Sequence, residues 1–448
     1  MKIISRLIMS FIAALCVWAT GTAQEPKTMY VMRQGVVVFQ SAISDIDSII
    51  FYNPVAPEKD PFDREITGPT IAYSDGATAE MTNPFFWVRF AQGKGINTDV
   101  PILTHPEIAD FAQALVNQNN LRLTLPSSLG NETTVTYSQL TTLASTYGYT
   151  SPPMRLTDYV PSFTGARDVQ LGIITSFSQM YSYPAVTTGT TYLETGLEVC
   201  EGVVIYAEYE NFYLVKSQNY FGWVLKTTVA VCSKADFLNY ATPSAFVIVT
   251  AERLTTANGV PTMLRMGTKL PLAGVAVHGG SASVCVPTRT ASGSLSSETV
   301  SLPIDQNEYI HIGYLPYTTT NLLKQMFKML GQPYGWGDQN SNRDCSATIW
   351  TAYKCFGILL PRNTGQMQNM NAGAYCKSVN GTHSTIINAI GSYRPGTILL
   401  MSGHVMMYLG YYNGAHYIIH NSGGSRTSCK VTGLAIYSTL TYIKAIEK

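Results

Sequence analysis

The 448-residue sequence predicts a multidomain α+β protein: a partly helical N-terminal module and two small β-barrels, followed by a domain of helices packed on an antiparallel sheet. Three observations carry this reading. The chain exceeds one domain at ~100–200 residues each. Short runs of Val, Ile, Tyr and Phe broken by tight turns dominate residues 166–316. After Tyr317 the apolar spacing becomes helical and then returns to alternation near the C-terminus. A composition of 46% hydrophobic and 13% charged residues, with 28 tyrosines, suits a packed β-rich chain and excludes a disordered one. A formal charge of +1 offers nucleic acid no electrostatic footprint.

The elements follow in chain order. Lys2 and Arg6 precede an apolar run from Leu7 to Trp18, and small residues lead to Ala23, so residues 1–23 read as a secretory signal. The run is shorter than the ~20 residues of a membrane span, and no later segment reaches that length. The mature chain is therefore expected to be exported to the periplasm or cell surface, as a monomer without a transmembrane span. Cys16 raises a lipid anchor as the weaker alternative, because Leu15 stands where a small residue should precede a lipidated cysteine. Residues 24–60 hold a hairpin pattern at 29–52 around Gly35 and a Pro-rich, charged linker. In the module at 61–165, "HPEIADFAQALVNQNN" and "YSQLTTLASTYGY" read as helices, the first with Ile108, Phe111 and Leu115 on one face. Residues 166–240 and 241–316 read as the two barrels, which would bind or position a ligand they do not name.

The last segment, 317–448, carries the chemistry. Leu322, Met326 and Leu330 share a helical face, with Thr320 or Asn321 as cap and Gly331 as stop. In "SNRDCSATIWTAYKCFG", Asp344 is suited to cap a helix whose first residue is Cys345, with Ile349, Ala352, Tyr353 and Phe356 on one face. A thiol there meets unpaired N–H groups and the positive helix end, which favour thiolate. Cys355 lies ten residues on, ~15 Å along a helix, about twice a disulfide's reach. The seven cysteines after the signal are odd in number and scattered, so at least one is unpaired.

A cysteine nucleophile needs a base and a group that orients it. "GHVMMYLGYYNGAHYIIHN" reads as two strands around an Asn413-Gly414 turn, which can set His404 beside a histidine of the next strand on the helix-facing surface. His416 and His420 are four apart and share a face, so spacing leaves both open. A zinc site of the three histidines lacks an accompanying carboxylate, and no metal or other cofactor is expected. A structural role for any one of these residues alone is the commoner case; their conjunction within 130 residues points to a thiol hydrolase.

The stretches "PYGWGDQNSNRDCSA", "LPRNTGQM", "GHVMMYLG" and "YIIHN" resemble the NlpC/p60 peptidoglycan cysteine peptidases, which have a papain-like α+β fold. The preceding segments resemble the subgroup with an N-terminal module and two bacterial SH3-type barrels. The resemblance implies Cys345 as nucleophile, His404 as general base and His420 as its orienter. It implies Asp344 and Ser346 as residues holding the free amine of a stem peptide, and Tyr334 as a residue near the oxyanion. Arg362, in "LPRN", matches a recurrent position with a structural role at least as fitting. The implied reaction is hydrolysis of the γ-D-glutamyl–diamino acid amide in peptidoglycan or muropeptides. A wall-binding or adhesion protein with a vestigial peptidase domain is the alternative, against which the retained Cys345, His404 and His420 argue.

Overall fold

The computed structural model describes residues 28–33, 36–42, 72–187, 189–255, 263–278, 280–304, 309–423 and 428–448. The expected signal segment, the linker and the second half of the hairpin pattern lie outside them. The chain divides into two units, Met1–Glu58 and Lys59–Lys448. In the first, Thr28–Arg33 pairs antiparallel with Val36–Ala42, with a register shift between Val31 and Met32.

The second unit is a mixed α+β assembly built on three large sheets. Strands between Gln170 and Cys232 form a seven-stranded sheet. Strands between Phe246 and Ile312 form a five-stranded sheet, accompanied by the pair Arg253–Thr255 and Met263–Arg265. The third sheet orders its strands Lys377–Asn380, Leu440–Ala445, Ile398–Met401, His404–Tyr412, Ala415–Asn421, Cys429–Gly433 and Tyr73–Ser74. All of its pairings are antiparallel except the last, where Val431 and Thr432 run parallel to Tyr73 and Ser74. Asn413 and Gly414, with φ of 46° and 83°, make the turn between its central strands, the backbone a two-residue hairpin requires.

Periodicity located the helices, and packing set their ends. His105–Val116 buries Ile108, Phe111 and Leu115, and opens on a Thr104/Glu107 capping box. The second expected helix is Tyr137–Thr146. The helix after Tyr317 spans Thr319–Phe327 and is capped by Thr318, whose hydroxyl accepts from the Asn321 N–H. Its expected cap at Thr320 or Asn321 and stop at Gly331 are therefore displaced: a serviceable hydroxyl precedes both residues, and the chain leaves the helix after Phe327. Trp87, Phe111, Ile349, Tyr353 and Met407 belong to one buried core, so residues on both sides of the two β-rich sheets bury their apolar area together. Leu140, Trp223, Val247 and Val284 belong to a second. Burial of such side chains stabilises by about 1.5–3 kcal/mol each.

Candidate active site

Cys345–Lys354 is a helix, and Asp344 caps it by accepting the Ala347 N–H at 2.7 Å. The expected single apolar face is replaced by burial all round: every residue from Cys345 to Tyr353 is buried. The helix packs on the His404–Tyr412 and Ala415–Asn421 strands of the third sheet, and its last turn meets the β-rich sheets, where Lys354 pairs with Glu201 and lies against Gly267. All seven cysteines among the described residues are free thiols.

Before the cap, Trp336–Ser341 winds through left-handed conformations at Gly337, Asp338, Asn340 and Ser341. Non-glycine residues there carry a conformational cost, and buried ion pairs hold the loop in place. Asp338, 1% exposed, accepts from Arg265 Nη2 at 2.8 Å and from Arg362 Nη2 at 2.8 Å. Burial opposes its ionisation, but Arg265 and Arg362 outweigh that and hold its pKa down at about 2. Arg265 Nε also pairs with Glu198 at 3.1 Å. Arg362 reaches both Asp344 oxygens, at 3.0 and 2.9 Å, and donates to Ser346 Oγ at 2.9 Å and Thr195 Oγ1 at 3.0 Å. Alternating charges thus run Glu198, Arg265, Asp338, Arg362, Asp344, from the first large sheet to the cysteine.

The cap is crowded. Asp344 Oδ1 accepts from Ala347, Ser346 and Arg362, and Oδ2 from Gly337 and Arg362. Those five donors exceed the about four lone-pair sites of a carboxylate. Asp344 and Ser346 are therefore tied to the scaffold, which leaves little capacity for the expected contact with a substrate amine. Glu194, next to Thr195, is a carboxylate that sequence reasoning missed; burial raises its pKa to about 7. Tyr220, also missed, feels the charges of Glu194, Arg362 and Asp344 and donates to Asn363 Oδ1 at 2.7 Å.

The Cys345 sulfur faces the Val405 N–H and lies 3.9 Å from Thr364 Oγ1. This brings it to the start of the His404–Tyr412 strand. His404 Nε2 lies 3.0 Å from His420 Nδ1, and His420 Nε2 lies 3.1 Å from Thr432 Oγ1. Tyr437 Oη lies 3.2 Å from the same His420 Nδ1. Of the two histidines left open by spacing, His420 is the one beside His404. His416 bonds Tyr408 Oη at 3.0 Å instead. Strand alternation puts His404 and His420 with Met406 and Ile418, which pack in the core of the His383–Ile390 helix, whereas Val405 and Ile419 share a core with Cys345. The imidazole pair is therefore not on the helix-facing surface as expected; Cys345 reaches the Val405 N–H, one residue from His404. Tyr334 stands close enough to Cys345 and Asp344 for their charges, after burial, to raise its pKa, and its ring packs on Gly423.

The ionisation of the cysteine departs from the helix-end argument. Burial first, then the Asp344 charge, raise the Cys345 thiol to about 11, against the opposing pull of Thr364, the Val405 N–H and Arg362. Burial lowers His404 to about 4. The resting pair is consequently a neutral thiol and a neutral imidazole.

Residues 331–443 match the model of the NlpC/P60 family. The chain is similar to an NlpC/P60 endopeptidase from Photobacterium damselae subsp. piscicida, with 15% identity, 78% of this chain and 87% of that one covered, and a TM-score of 0.53. It is also similar to an NlpC/P60 family protein from Bacillus cereus ATCC 10987, with 17% identity, 62% of this chain and 100% of that one covered, and a TM-score of 0.46. No curated protein matches the chain at a significant level. Among the described residues no helix is long and apolar enough to cross a membrane. Residues 331–443 thus carry the match to the NlpC/P60 family, and the likeness to the Photobacterium endopeptidase is one of fold.

Proposed function

We propose that the protein is an exported cysteine peptidase that hydrolyses an amide in peptidoglycan stem peptides, at the γ-D-glutamyl–diamino acid bond. The observation that carries this reading is the placement of Cys345, at a helix N-terminus, against the Val405 N–H, one residue from His404, which is itself bonded to His420. The two β-rich sheets are read as the SH3-like modules, and Thr195, Gly196 and Glu201 as the points where the first of them grips the catalytic domain, at Arg362, Asp338 and Lys354.

The mechanism uses one tautomer of the hydrogen-bond chain. With Thr432 Oγ1 accepting from His420 Nε2–H, His420 Nδ1 is an acceptor for His404 Nε2–H and for the Tyr437 hydroxyl. His404 Nδ1 then keeps its lone pair for the thiol proton. Attack of sulfur on the carbonyl transfers that proton to His404 and forms a tetrahedral oxyanion, stabilised by the Cys345 backbone N–H and the Tyr334 hydroxyl. Collapse forms the thioester and breaks the C–N bond as His404 protonates the leaving amine. Water, deprotonated by His404, then releases the acid and restores the thiol. The substrate's free amine is held by Glu194 at the edge of the Asp344–Ser346 cluster.

The test is mass spectrometry of products from L-Ala-γ-D-Glu-diaminopimelate with and without attached sugar. Release of L-Ala-D-Glu, preferring the sugar-free substrate, is expected; cleavage of neither substrate would sink the reading. A pH profile checks the base. His404 must be neutral to accept a proton, and protonation requires the pH to fall toward its lowered pKa. The acid limb of kcat/KM is therefore expected near pH 4 and not near the ordinary 6.5 of histidine. A limb at 6.5 would mean that the working imidazole is not desolvated.

A further inference from the structure

Behind the Cys345 helix, on the side of its last turns, lies a cavity of about 330 Å³, at the lower end of the ~300–1,000 Å³ typical of small-molecule sites. It opens where three parts of the chain meet: the Glu198–Gly202 connection of the first large sheet, the Gly267–Lys269 turn of the second, and Trp350, Lys354 and Leu359. Its walls are largely apolar, yet its polar groups are unbalanced. The Trp350 indole N–H and the Thr268 hydroxyl, on residues 5% and 1% exposed, find no hydrogen-bond partner among the described residues. Orphaned buried polar groups cost about 1–3 kcal/mol each, so two donors on one cavity ask for an acceptor.

The charges point the same way. Glu198 is spoken for by Arg265, and Glu201 by Lys354 at 2.8 Å. Lys354 also stacks over the Trp350 ring, 4.2 Å from its centroid. Lys269 has no carboxylate or hydrogen-bond partner among the described residues; its ammonium lies 5.4 Å over the Phe246 ring. Burial, and then the Lys354 charge, lower its pKa to about 8, so at neutral pH it carries an uncompensated cation. One positive charge, one indole N–H and one hydroxyl around an apolar space form a complement to a carboxylate on a small apolar body.

We propose that this cavity is a second ligand site, separate from the cysteine, that takes a small organic monoanion with its carboxylate on Lys269, Trp350 and Thr268. Trp350 and Lys354 are five and nine residues after Cys345 on one helix, which at ~1.5 Å per residue sets the site about 8–14 Å from the cysteine along the axis. A free aliphatic acid and the C-terminal carboxylate of a short peptide share this chemistry.

The experiment uses the full chain labelled with 5-fluorotryptophan, with the Trp350 resonance identified by its loss in Trp350→Phe. Hexanoate is titrated against hexanol and, in a third arm, L-Ala-D-Glu. A saturable shift of the Trp350 signal by hexanoate is expected, at about tenfold lower concentration than with hexanol, as one charge-assisted hydrogen-bond set should give. Lys269→Met should erase the preference for the acid. Thr268→Val, a milder change, should weaken it, and Cys345→Ala should leave it intact. A shift with L-Ala-D-Glu as well would make peptide carboxylates the ligand source; a shift with hexanoate alone would make it an aliphatic acid. No movement of the Trp350 signal, equal response to hexanol, or an acid preference that survives Lys269→Met would each overturn the site and leave a cavity filled by water.

Discussion

Replacing Cys345 by alanine is expected to abolish turnover of the stem-peptide substrate, by at least about a thousandfold, while leaving the unfolding midpoint near that of the parent chain. The size follows from nucleophilic catalysis: removing the attacking atom removes the covalent route entirely, and what persists is binding and oxyanion stabilisation. The small stability change follows from the cap. The helix is started by Asp344, not by the thiol, and Ala is a good helix former. Loss of the sulfur removes a small buried group whose neighbours are the Thr364 hydroxyl and the Val405 N–H. The measurement is product formation by mass spectrometry beside thermal unfolding of both chains. Undiminished turnover in a folded Cys345→Ala protein would end the mechanism. A second readout comes from the neutral resting pair: alkylation of Cys345 in the parent chain should be slow at mildly acidic pH and accelerate with rising pH, since the thiol is held near 11. Rapid alkylation at mildly acidic pH would instead mean a preformed thiolate, as the helix-end argument alone suggests.

That contrast shows what sequence can and cannot carry. The Asp344 cap, the Cys345 start and the Asn413-Gly414 turn are local, because each depends on residues within a few positions of one another. They were legible for that reason, as was the pairing of two neighbouring strands that sets His404 beside a histidine. Which histidine was not legible from alternation, under which His416 and His420 are equivalent; distance from the turn separates them, with His416 opposite Tyr411 and His420 beyond the Met407–Ile419 pair, toward His404. Burial was not legible either. Nothing in "DCSA" tells that Cys345 and His404 are buried, and that burial is what moves the thiol and imidazole toward their neutral forms. The amine-binding role expected for Asp344 met the same obstacle: three of its five donors are local, but the two from Arg362 arrive from eighteen residues away. Asp338 sat in a stretch that reads only as a loop, and its partner Arg265 is 73 residues distant.

Arg362→Met should be the most destabilising single change in this region, because it removes one guanidinium from between two buried carboxylates. Arg362 is 2% exposed and is the shared partner of Asp338 and Asp344, with Thr195 and Ser346 as further acceptors. Methionine fills similar volume, so the loss is electrostatic and not a cavity. Breaking a buried pair from one side costs about 3–5 kcal/mol, and here Asp344 would in addition lose part of what aligns the cysteine. Urea unfolding should show the drop, and turnover should fall with it in the fraction that remains folded. The compensated variant, Arg362→Met with Asp338→Asn, should recover part of the stability, because the neutral amide no longer needs two cations. The pH dependence separates this from loss of packing. Asp338 is held near 2 in the folded chain against 3.8 ordinarily, so its contribution is fully present above pH 3.8 and is lost as pH falls through 2. Without Arg362 the folded pKa rises toward or past the unfolded value, and that acid-side loss should shrink or reverse sign. A variant as stable as the parent, with an unchanged acid profile, would mean that the charged chain from Glu198 to Asp344 does not hold the cysteine in place.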